Sequence, residues 1–311
     1  MPLDPIAAGL LQQIEDMGAP PMNTLAPPDA REASAGFIAL AGEPEEVAET
    51  QELSVPVEGG EIVVTLITPK GLSGTSGCLI YYHGGGWVIG TRETVAPACH
   101  ALASRGGCKV ANVEYRLAPE YKFPTPFNDC YAVFTWLVAN AAKYGIDPNK
   151  IAVGGDSAGG NLAAAVALRA RDEGRENIQL QLLVYPVTNY AFDTASYDEN
   201  GEGYLLTKDM MVWFWDHYLN GPNDGKNPYV SPLKSNNLAG LPPAVLYTAE
   251  FDPLRDEGEA YANKLKEAGV EVHHTRYDGQ IHAFFQMGAV FPAASHAYEE
   301  AGRHLRQAIN V

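Results

Sequence analysis

The sequence predicts an α/β protein with a mostly parallel central sheet that is covered by helices on both faces. Short apolar runs of strand character alternate with amphipathic helical segments through most of the chain, and this order is typical of parallel strands joined by helices. Before the alternation begins, the runs TQELSVPV and EIVVTLITP flank Glu58, Gly59 and Gly60, which predicts a hairpin. We therefore expect an antiparallel edge on an otherwise parallel sheet.

Residues 1 to about 50 are predicted to be helical and rich in turns. Asp4 and Pro5 have the form of an N-cap and a first helical residue, and apolar residues then recur at every fourth position. The first 60 residues contain eleven Asp and Glu residues and one basic residue, Arg31, so they hold −10 of the net charge of −17. This charge predicts a solvated acidic surface.

After the hairpin, strands and helices follow one another in order. Strands are predicted at CLIYYH, KVANVEY, IAVGGD, LQLLVYP, PAVLYTAE and VEVHHTRY. Helices are predicted near residues 94–105, 127–143, 158–171, 256–268 and 293–309. The strands are short and apolar while the helices carry one apolar stripe each, which is the pattern of a sheet buried on both faces.

One long segment, residues 187–230, interrupts this alternation. It lacks a strand rhythm and is rich in aromatic residues, with three of them consecutive in the sequence WFW. An excursion of this length inside an α/β core is usually a lid or an inserted subdomain. We expect residues 1–50 and 187–230 to form a cap over an α/β domain made of residues 51–186 and 231–311.

Composition and charge exclude several classes of protein. Apolar residues make up 46% and charged residues 19% of the 311 residues, as in an ordinary globular protein. No run approaches the roughly eighteen apolar residues that a membrane span needs, and the negative charge would repel nucleic acids and anionic membranes. The N-terminal segment has acidic residues where a signal peptide has basic ones, so we expect a cytoplasmic protein. The four cysteines show no metal-ligand spacing.

The residues from Gly155 to Gly159 match the pattern G-x-S-x-G, with Ser157 at its centre. They follow the strand residues IAVG and open an alanine-rich helix, which is the strand, turn and helix of a nucleophile elbow. The helix start beyond Ser157 also directs backbone amides at developing negative charge. We therefore predict that Ser157 is a catalytic nucleophile rather than part of a merely tight turn.

The sequence HGGGW begins the loop after the strand CLIYYH. Successive glycines leave backbone amides uncovered, as an oxyanion hole requires. A phosphate-binding loop is the alternative, but neither GK[ST] nor G-x-G-x-x-G is present here. We predict that the amides of Gly85, Gly86 and Ala158 bind the oxyanion and that Gly84 shapes the turn.

The general base is predicted to be His282, on a polar, glycine-containing loop just past the last strand. Loops at sheet ends are where such sites lie. The other histidines have more ordinary predicted positions: His100, His296 and His304 in helices, His217 in the aromatic segment, His273 and His274 within a strand, and His83 at the start of the glycine loop.

The acid that orients the base should follow the preceding strand, because serine, acid and histidine come in that order along such chains. Asp252 directly follows LYTAEF and fits best. Glu250 and Asp256 are the alternatives, although Asp256 and Glu257 also have the character of helix first-turn charges stabilised by the helix dipole.

The sequences HGGGW, YRLAPE, GDSAGG, DPLRDEG and IHAFF, taken together, resemble the bacterial hormone-sensitive-lipase-like esterases of the α/β-hydrolase superfamily. They occur in the right order over residues 83–285. The resemblance implies a cytosolic or cell-associated enzyme that favours short acyl esters and needs neither a metal nor an organic cofactor. In that family the cap combines an N-terminal and an inserted segment. One departure is Ala283, where the family commonly has glycine, and its methyl group would narrow the pocket beside His282.

The predicted function is therefore a serine carboxylesterase that hydrolyses small-molecule esters with short to medium acyl chains through an acyl-enzyme. An amidase, lactonase or thioesterase would use the same three residues. A non-catalytic receptor on the same fold is the alternative from another class, but such receptors typically lose the base. Trp213 and Phe214 are candidates for limiting the acyl chain, with ordinary packing in the cap as the competing interpretation. Dimers are frequent among similar proteins, yet no residue here proves one.

Overall fold

The structure is a computed structural model that describes residues 1–310, and these contain one eight-stranded sheet. The strands are β1 (Glu49–Val57), β2 (Gly60–Thr68), β3 (Ser76–Tyr82), β4 (Lys109–Val113), β5 (Ile146–Asp156), β6 (Ile178–Val184), β7 (Ala244–Phe251) and β8 (Val272–Ile281). Their order across the sheet is β1-β2-β4-β3-β5-β6-β7-β8. The pairs β1–β2 and β2–β4 are antiparallel and the others are parallel. The predicted α/β class and the antiparallel hairpin edge are confirmed.

Helices cover both faces of the sheet. They are α1 (Pro5–Asp16), α2 (Pro27–Ala35), α3 (Ile38–Ala41), α4 (Ala96–Gly106), α5 (Thr125–Asn140), α6 (Ala158–Asp172), α7 (Ala195–Glu199), α8 (Lys208–Tyr218), α9 (Arg255–Glu267) and α10 (Pro292–Ile309). Helices α4 and α10 pack together on one face, whereas α5, α6 and α9 contribute to the core on the other.

Strand β3 explains why the central strands lack a polar face. All seven of its residues are buried. Leu79 and Tyr81 join the core under α4 and α10, while Cys78, Ile80 and Tyr82 join the core under α5 and α6. Because successive side chains of a strand point to opposite faces, a sheet covered on both sides needs continuous apolar strands.

The parallel strands bring distant parts of the chain to one edge of the sheet. Strands β3, β5, β7 and β8 all run in the same direction. The loops that follow their carboxyl ends carry the glycine sequence, Ser157, Asp252 and His282. The fold thus places the predicted chemistry where ligands of open α/β sheets usually bind.

The N-terminal segment packs onto the α/β body. Asp4 caps α1, since its carboxylate accepts a hydrogen bond of 2.7 Å from the amide of Ile6. Arg31 on α2 donates to the carbonyls of Val88 and Ala118, each at 2.8 Å. These bonds fasten the segment to the loop that carries the glycines and to the loop after β4.

The aromatic segment between β6 and β7 contains α7 and α8. Trp215 and Tyr218 of α8 lie against Trp87, with ring centroids 4.4 and 4.3 Å from it. The short turn at Met22–Thr24 also contacts α8. Both segments therefore lie next to the loop of HGGGW, while the division into cap and α/β domain stays a prediction. Across residues 1–310, the helices are too short or too polar to span a membrane.

Candidate active site

Ser157 lies in a sharp turn between β5 and α6. Its φ of 55° is in the left-handed region that side chains with a Cβ rarely adopt. A Cβ at Gly159 would collide with the backbone of Tyr82 and His83, so the tight approach of α6 to β3 requires glycine there. This local geometry holds Ser157 at the tip of the turn, with 7% of its surface exposed.

Ser157, His282 and Asp252 form one continuous chain of hydrogen bonds. The Oγ hydroxyl of Ser157 lies 3.0 Å from Nε2 of His282 and donates to it. On the other side of the ring, Nδ1 of His282 donates to Oδ2 of Asp252 at 2.7 Å. Asp252 is fully buried, and its Oδ1 accepts the amide of Leu254 at 2.8 Å. The three side chains that the sequence analysis selected thus meet in one place.

The two alternative acids make other contacts. Glu250 accepts a hydrogen bond from the amide of Gly279 at 2.7 Å and pairs with the N-terminal ammonium group. Asp256 accepts the amide of Ser196 at 2.8 Å and pairs with Arg255. Both carboxylates are therefore engaged elsewhere, and the acid that contacts the imidazole of His282 is Asp252.

The glycine loop lies beside this chain of hydrogen bonds. Two hydrogen bonds made by its first residues, His83 and Gly84, hold the loop in place. The amide of Gly84 donates to Oδ1 of Asp156 at 3.2 Å, and Nδ1 of His83 donates to the carbonyl of Gly84 at 2.7 Å. Gly85 and Gly86 have φ values of 111° and 56°, which glycine adopts at little cost. Within residues 1–310 their amides have no hydrogen-bond acceptor, so both remain available to a ligand.

Comparison with known proteins decides the family. A family model described as alpha/beta hydrolase fold matches residues 79–286. The carboxylic ester hydrolase LipN of Mycobacterium tuberculosis is 42% identical over 76% of this chain and 65% of its own length. The ethyl acetate hydrolase of Pseudomonas putida is 37% identical over 94% and 95% of the two chains. An α/β-hydrolase enzyme from the metagenome of Lake Arreo is 39% identical over 97% of each chain, with a TM-score of 0.94.

The chain belongs to the hormone-sensitive-lipase-like carboxylesterases of the α/β-hydrolase superfamily. The resemblance predicted from its motifs is thereby confirmed. In this α/β hydrolase, Ala283 has a φ of 68°, a conformation that favours glycine. The residue that departs from the family's common glycine therefore carries a backbone strain of order 1 kcal/mol.

Asp156 is a buried group of this α/β hydrolase that the sequence analysis did not single out. Its carboxylate accepts hydrogen bonds from the hydroxyl of Tyr81 at 3.0 Å, from the amide of Gly84 and from the side chain of Gln286. Burial raises the pKa of Asp156 to about 6, although these donors act to lower it. The carboxylate joins the end of β3, the glycine loop and the segment after His282. The sequence feature that could have pointed to Asp156 is its position directly before Ser157 in GDSAG.

Tyr185 was also missed. It follows β6 with a φ of 32°, and its ring centroid lies 4.5 Å from that of His282. Its amide donates to the carbonyl of Tyr247 at 2.7 Å, which holds the backbone between β6 and the aromatic segment. The strained backbone places an aromatic wall beside the imidazole, and nothing in the local sequence LVYP predicts that contact.

The two aromatic candidates of α8 occupy different environments. Phe214 is buried, and a Cβ added to Gly86 would fall on its ring, so Phe214 lies directly over the glycine loop. Trp213 is half-buried and packs against Phe214 and His217, with ring centroids 5.2 and 4.5 Å away. Phe214 is therefore the better placed of the two to contact a substrate.

Glu257 lies in the first turn of α9, as the sequence predicts, but it is buried. It is 1% exposed, and its Oε1 accepts the amides of Thr188 at 2.7 Å and Asn189 at 3.1 Å. Burial raises the pKa of Glu257 to about 8, and the nearby carboxylate of Asp252 adds to this increase. A carboxyl group buried between α9 and the start of the aromatic segment is easier to keep neutral than charged.

This raised pKa predicts a pH dependence of stability. The folded protein holds the proton of Glu257 up to a pH of about 8, whereas the unfolded chain releases it near the ordinary value of 4.5. The group's stabilising contribution is therefore largest below pH 4.5 and is lost as the pH rises to about 8. Glu257→Gln keeps an acceptor oxygen and removes the ionisation. The free energy of unfolding of this variant should therefore fall less than that of the wild type between pH 4.5 and about 8.

Urea unfolding at a series of pH values measures the difference. Glu259→Gln, on the same helix, is the matched control and should follow the wild-type curve. A Glu257→Gln variant whose free energy of unfolding falls as steeply as that of the wild type would contradict the assignment.

Proposed function

We propose that this protein is a serine carboxylesterase that hydrolyses small-molecule esters with short to medium acyl chains. The observation that carries the proposal is the unbroken chain of hydrogen bonds from Asp252 through His282 to Ser157. Such a chain converts a serine hydroxyl, which is a weak nucleophile at its ordinary pKa, into an attacking group.

In the proposed reaction the Oγ of Ser157 attacks the ester carbonyl while Nε2 of His282 takes the hydroxyl proton. The imidazolium then gives this proton to the departing alcohol, leaving an acyl-enzyme. Water attacks the acyl carbon with His282 as base, and the acid is released as Ser157 recovers its proton. Asp252 holds the tautomer with the proton on Nδ1 and stabilises the imidazolium.

The negative charge of the tetrahedral intermediates is proposed to be bound by the amides of Gly85, Gly86 and Ala158. The free amides of the two glycines support this, and Ala158 is the first residue of α6, where amides have no partner within the helix. Each such donor contributes on the order of 3 kcal/mol to the transition state. These residues supply all the groups that the reaction requires, so no cofactor is included in it.

We infer a cap formed by residues 1–50 and 187–230 over an α/β domain of residues 51–186 and 231–311. The bonds of Arg31 and the position of Phe214 over Gly86 support this division. A cytoplasmic location is proposed because Cys78, Cys99, Cys108 and Cys130 are all buried as free thiols, as expected in a reducing compartment. A homodimer remains a prediction.

An amidase, a lactonase or a thioesterase would share the mechanism, and the named activities of the relatives favour the ester. The receptor alternative is disfavoured because the imidazole of His282 is in contact with both of its partners.

The substrate class is tested with nitrophenyl esters of increasing acyl length, assayed together with the corresponding anilides. We expect kcat/KM to be highest for short acyl chains and at least about 10²-fold lower for the anilides, whose leaving groups are poorer. Faster hydrolysis of the anilides would favour the amidase.

The same ester series examines the aromatic residues of α8. Phe214→Ala should shift the preferred acyl length upward by removing a ring from above Gly86. Trp213→Ala, which removes the neighbouring ring that packs on Phe214, is its matched comparison. If Phe214→Ala leaves the preferred acyl length unchanged, Phe214 does not limit the acyl chain. An unchanged preference in Trp213→Ala would likewise eliminate Trp213.

A further inference from the structure

Three metal-ligating side chains meet away from the candidate active site, on strand β8 and helix α10. His273 lies on β8, and Glu300 and His304 lie four positions apart on α10. One nitrogen of each imidazole and one carboxylate oxygen lie within 4.8 Å of one another. Residues at i and i+4 of a helix share one face, so α10 presents both of its groups to β8.

The carboxylate at the centre of this cluster is held by its neighbours. Oε1 of Glu300 accepts from Nε2 of His273 at 2.7 Å and from Thr275 at 3.1 Å, and Oε2 accepts from the hydroxyl of Tyr277 at 2.9 Å. His273, Thr275 and Tyr277 alternate along β8 and therefore lie on one face of the strand. The hydrogen bonds from Thr275 and Tyr277 are of the kind that orient a metal-binding carboxylate. The bond from His273 joins two of the candidate ligands and has to break when a ring nitrogen of His273 binds an ion.

The second imidazole has an unused nitrogen. Nε2 of His304 is buried and has no hydrogen-bond partner among the residues that the structure describes. The ring centroids of His304 and His273 are 4.5 Å apart. A buried ring nitrogen without a partner is uncommon, and a cation between the two rings would supply one.

We propose that His273, Glu300 and His304 bind a divalent transition-metal ion, with Zn²⁺ as the best match. Two imidazoles and one carboxylate are a common zinc donor set, and imidazole also suits Ni²⁺ and Cu²⁺. Ligands at about 2.1 Å from a tetrahedral Zn²⁺ lie roughly 3.4 Å apart. The ligand atoms here lie within 4.8 Å of one another, with His273 and Glu300 in hydrogen-bond contact at 2.7 Å, so small side-chain rotations adjust the cluster to the ion. The exposed guanidinium of Arg303, 3.9 Å from Oε1 of Glu300, must move aside.

The ion would stabilise the folded protein and would take no part in ester hydrolysis. It would join β8, the last strand of the sheet and the one that leads into His282, to the C-terminal helix. An ion that binds the folded chain more tightly than the unfolded one raises the midpoint of thermal unfolding.

The test is titration of the purified protein, freed of metals by chelation, with ZnCl₂ by isothermal titration calorimetry, followed by thermal unfolding. We expect about one Zn²⁺ per chain and a rise in Tm of roughly 2–4 °C at saturation. His273→Ala and Glu300→Gln should each weaken this binding by at least about tenfold and remove the shift in Tm. Their ester hydrolysis without zinc should stay within about twofold of the wild type.

His296→Ala is the matched control, since His296 is an exposed histidine of the same helix and should leave zinc binding unchanged. Wild-type affinity in both His273→Ala and Glu300→Gln would overturn the proposal. Equal loss in His296→Ala would overturn it as well, because it would show binding by scattered surface histidines. His273 is exposed, so its replacement is compatible with folding, and circular dichroism verifies this.

Discussion

Ser157→Ala should lower kcat for ester hydrolysis by about 10⁴-fold or more while leaving the fold intact. The variant loses the oxygen that forms the acyl-enzyme, and His282 has no hydroxyl proton to accept. The removed Oγ makes its hydrogen bond to His282 at a position that is 7% exposed, and the Cβ that the turn already accommodates remains. The measurement is steady-state hydrolysis of a short-chain nitrophenyl ester, with protein quality checked by thermal unfolding.

Covalent labelling tests directly whether Ser157 is the nucleophile. An organophosphate should modify the wild-type protein at Ser157, as found by peptide mass spectrometry, and should leave Ser157→Ala unmodified. Ser295→Ala changes an exposed serine of α10 and should behave as the wild type in both assays. Hydrolysis retained in Ser157→Ala would end the nucleophile assignment, whereas a wild-type protein without labelling would favour the receptor.

Asp252→Asn should lower kcat by roughly 10³- to 10⁴-fold. Asparagine matches the shape of aspartate, but its amide group can donate to Nδ1 of His282 and so favour the tautomer with the proton on Nε2. That tautomer cannot accept the proton of Ser157, and an imidazolium would lose its carboxylate partner. The buried contact of 2.7 Å between Asp252 and His282 is the basis for this expectation.

Two neighbouring acids provide the controls for Asp252→Asn. Asp256→Asn and Glu250→Gln alter carboxylates that bond to Ser196 and Gly279, so kcat should stay within a few-fold of the wild type. A loss at Glu250 or Asp256 as large as that at Asp252 would show that the acid has been wrongly chosen.

The fold and the family could be predicted from the sequence because their signals are local. Strands β3, β4, β5 and β7 are apolar runs that are each followed by a helix, and the motif GDSAGG lies where β5 passes into α6. A turn that places a serine at the head of a helix is specified by a few adjacent residues, mainly glycines with little or no side chain to obstruct it. The same is true of the glycine loop after β3.

The choice among candidate acids could be ranked but not decided in this way. Glu250, Asp252 and Asp256 lie within seven positions of one another, and all are carboxylates near the end of one strand. Their contacts depend on how the loop after β7 turns relative to the loop after β8. That relation is set by the parallel register of the two strands, in which Phe251 faces Ile281 across an irregularity.

What the sequence by itself determined is therefore the order of strands and helices, the family and the short motifs. The tertiary structure decided which side chains meet: Asp156 with Gly84, Tyr185 with His282, Glu257 with Thr188, and His273 with Glu300 and His304. The physical reason is that a strand or a turn forms from forces among neighbouring residues, whereas these contacts join residues far apart in the chain. Burial, which sets the protonation of Asp156 and Glu257, exists only once the sheet and its helices have packed.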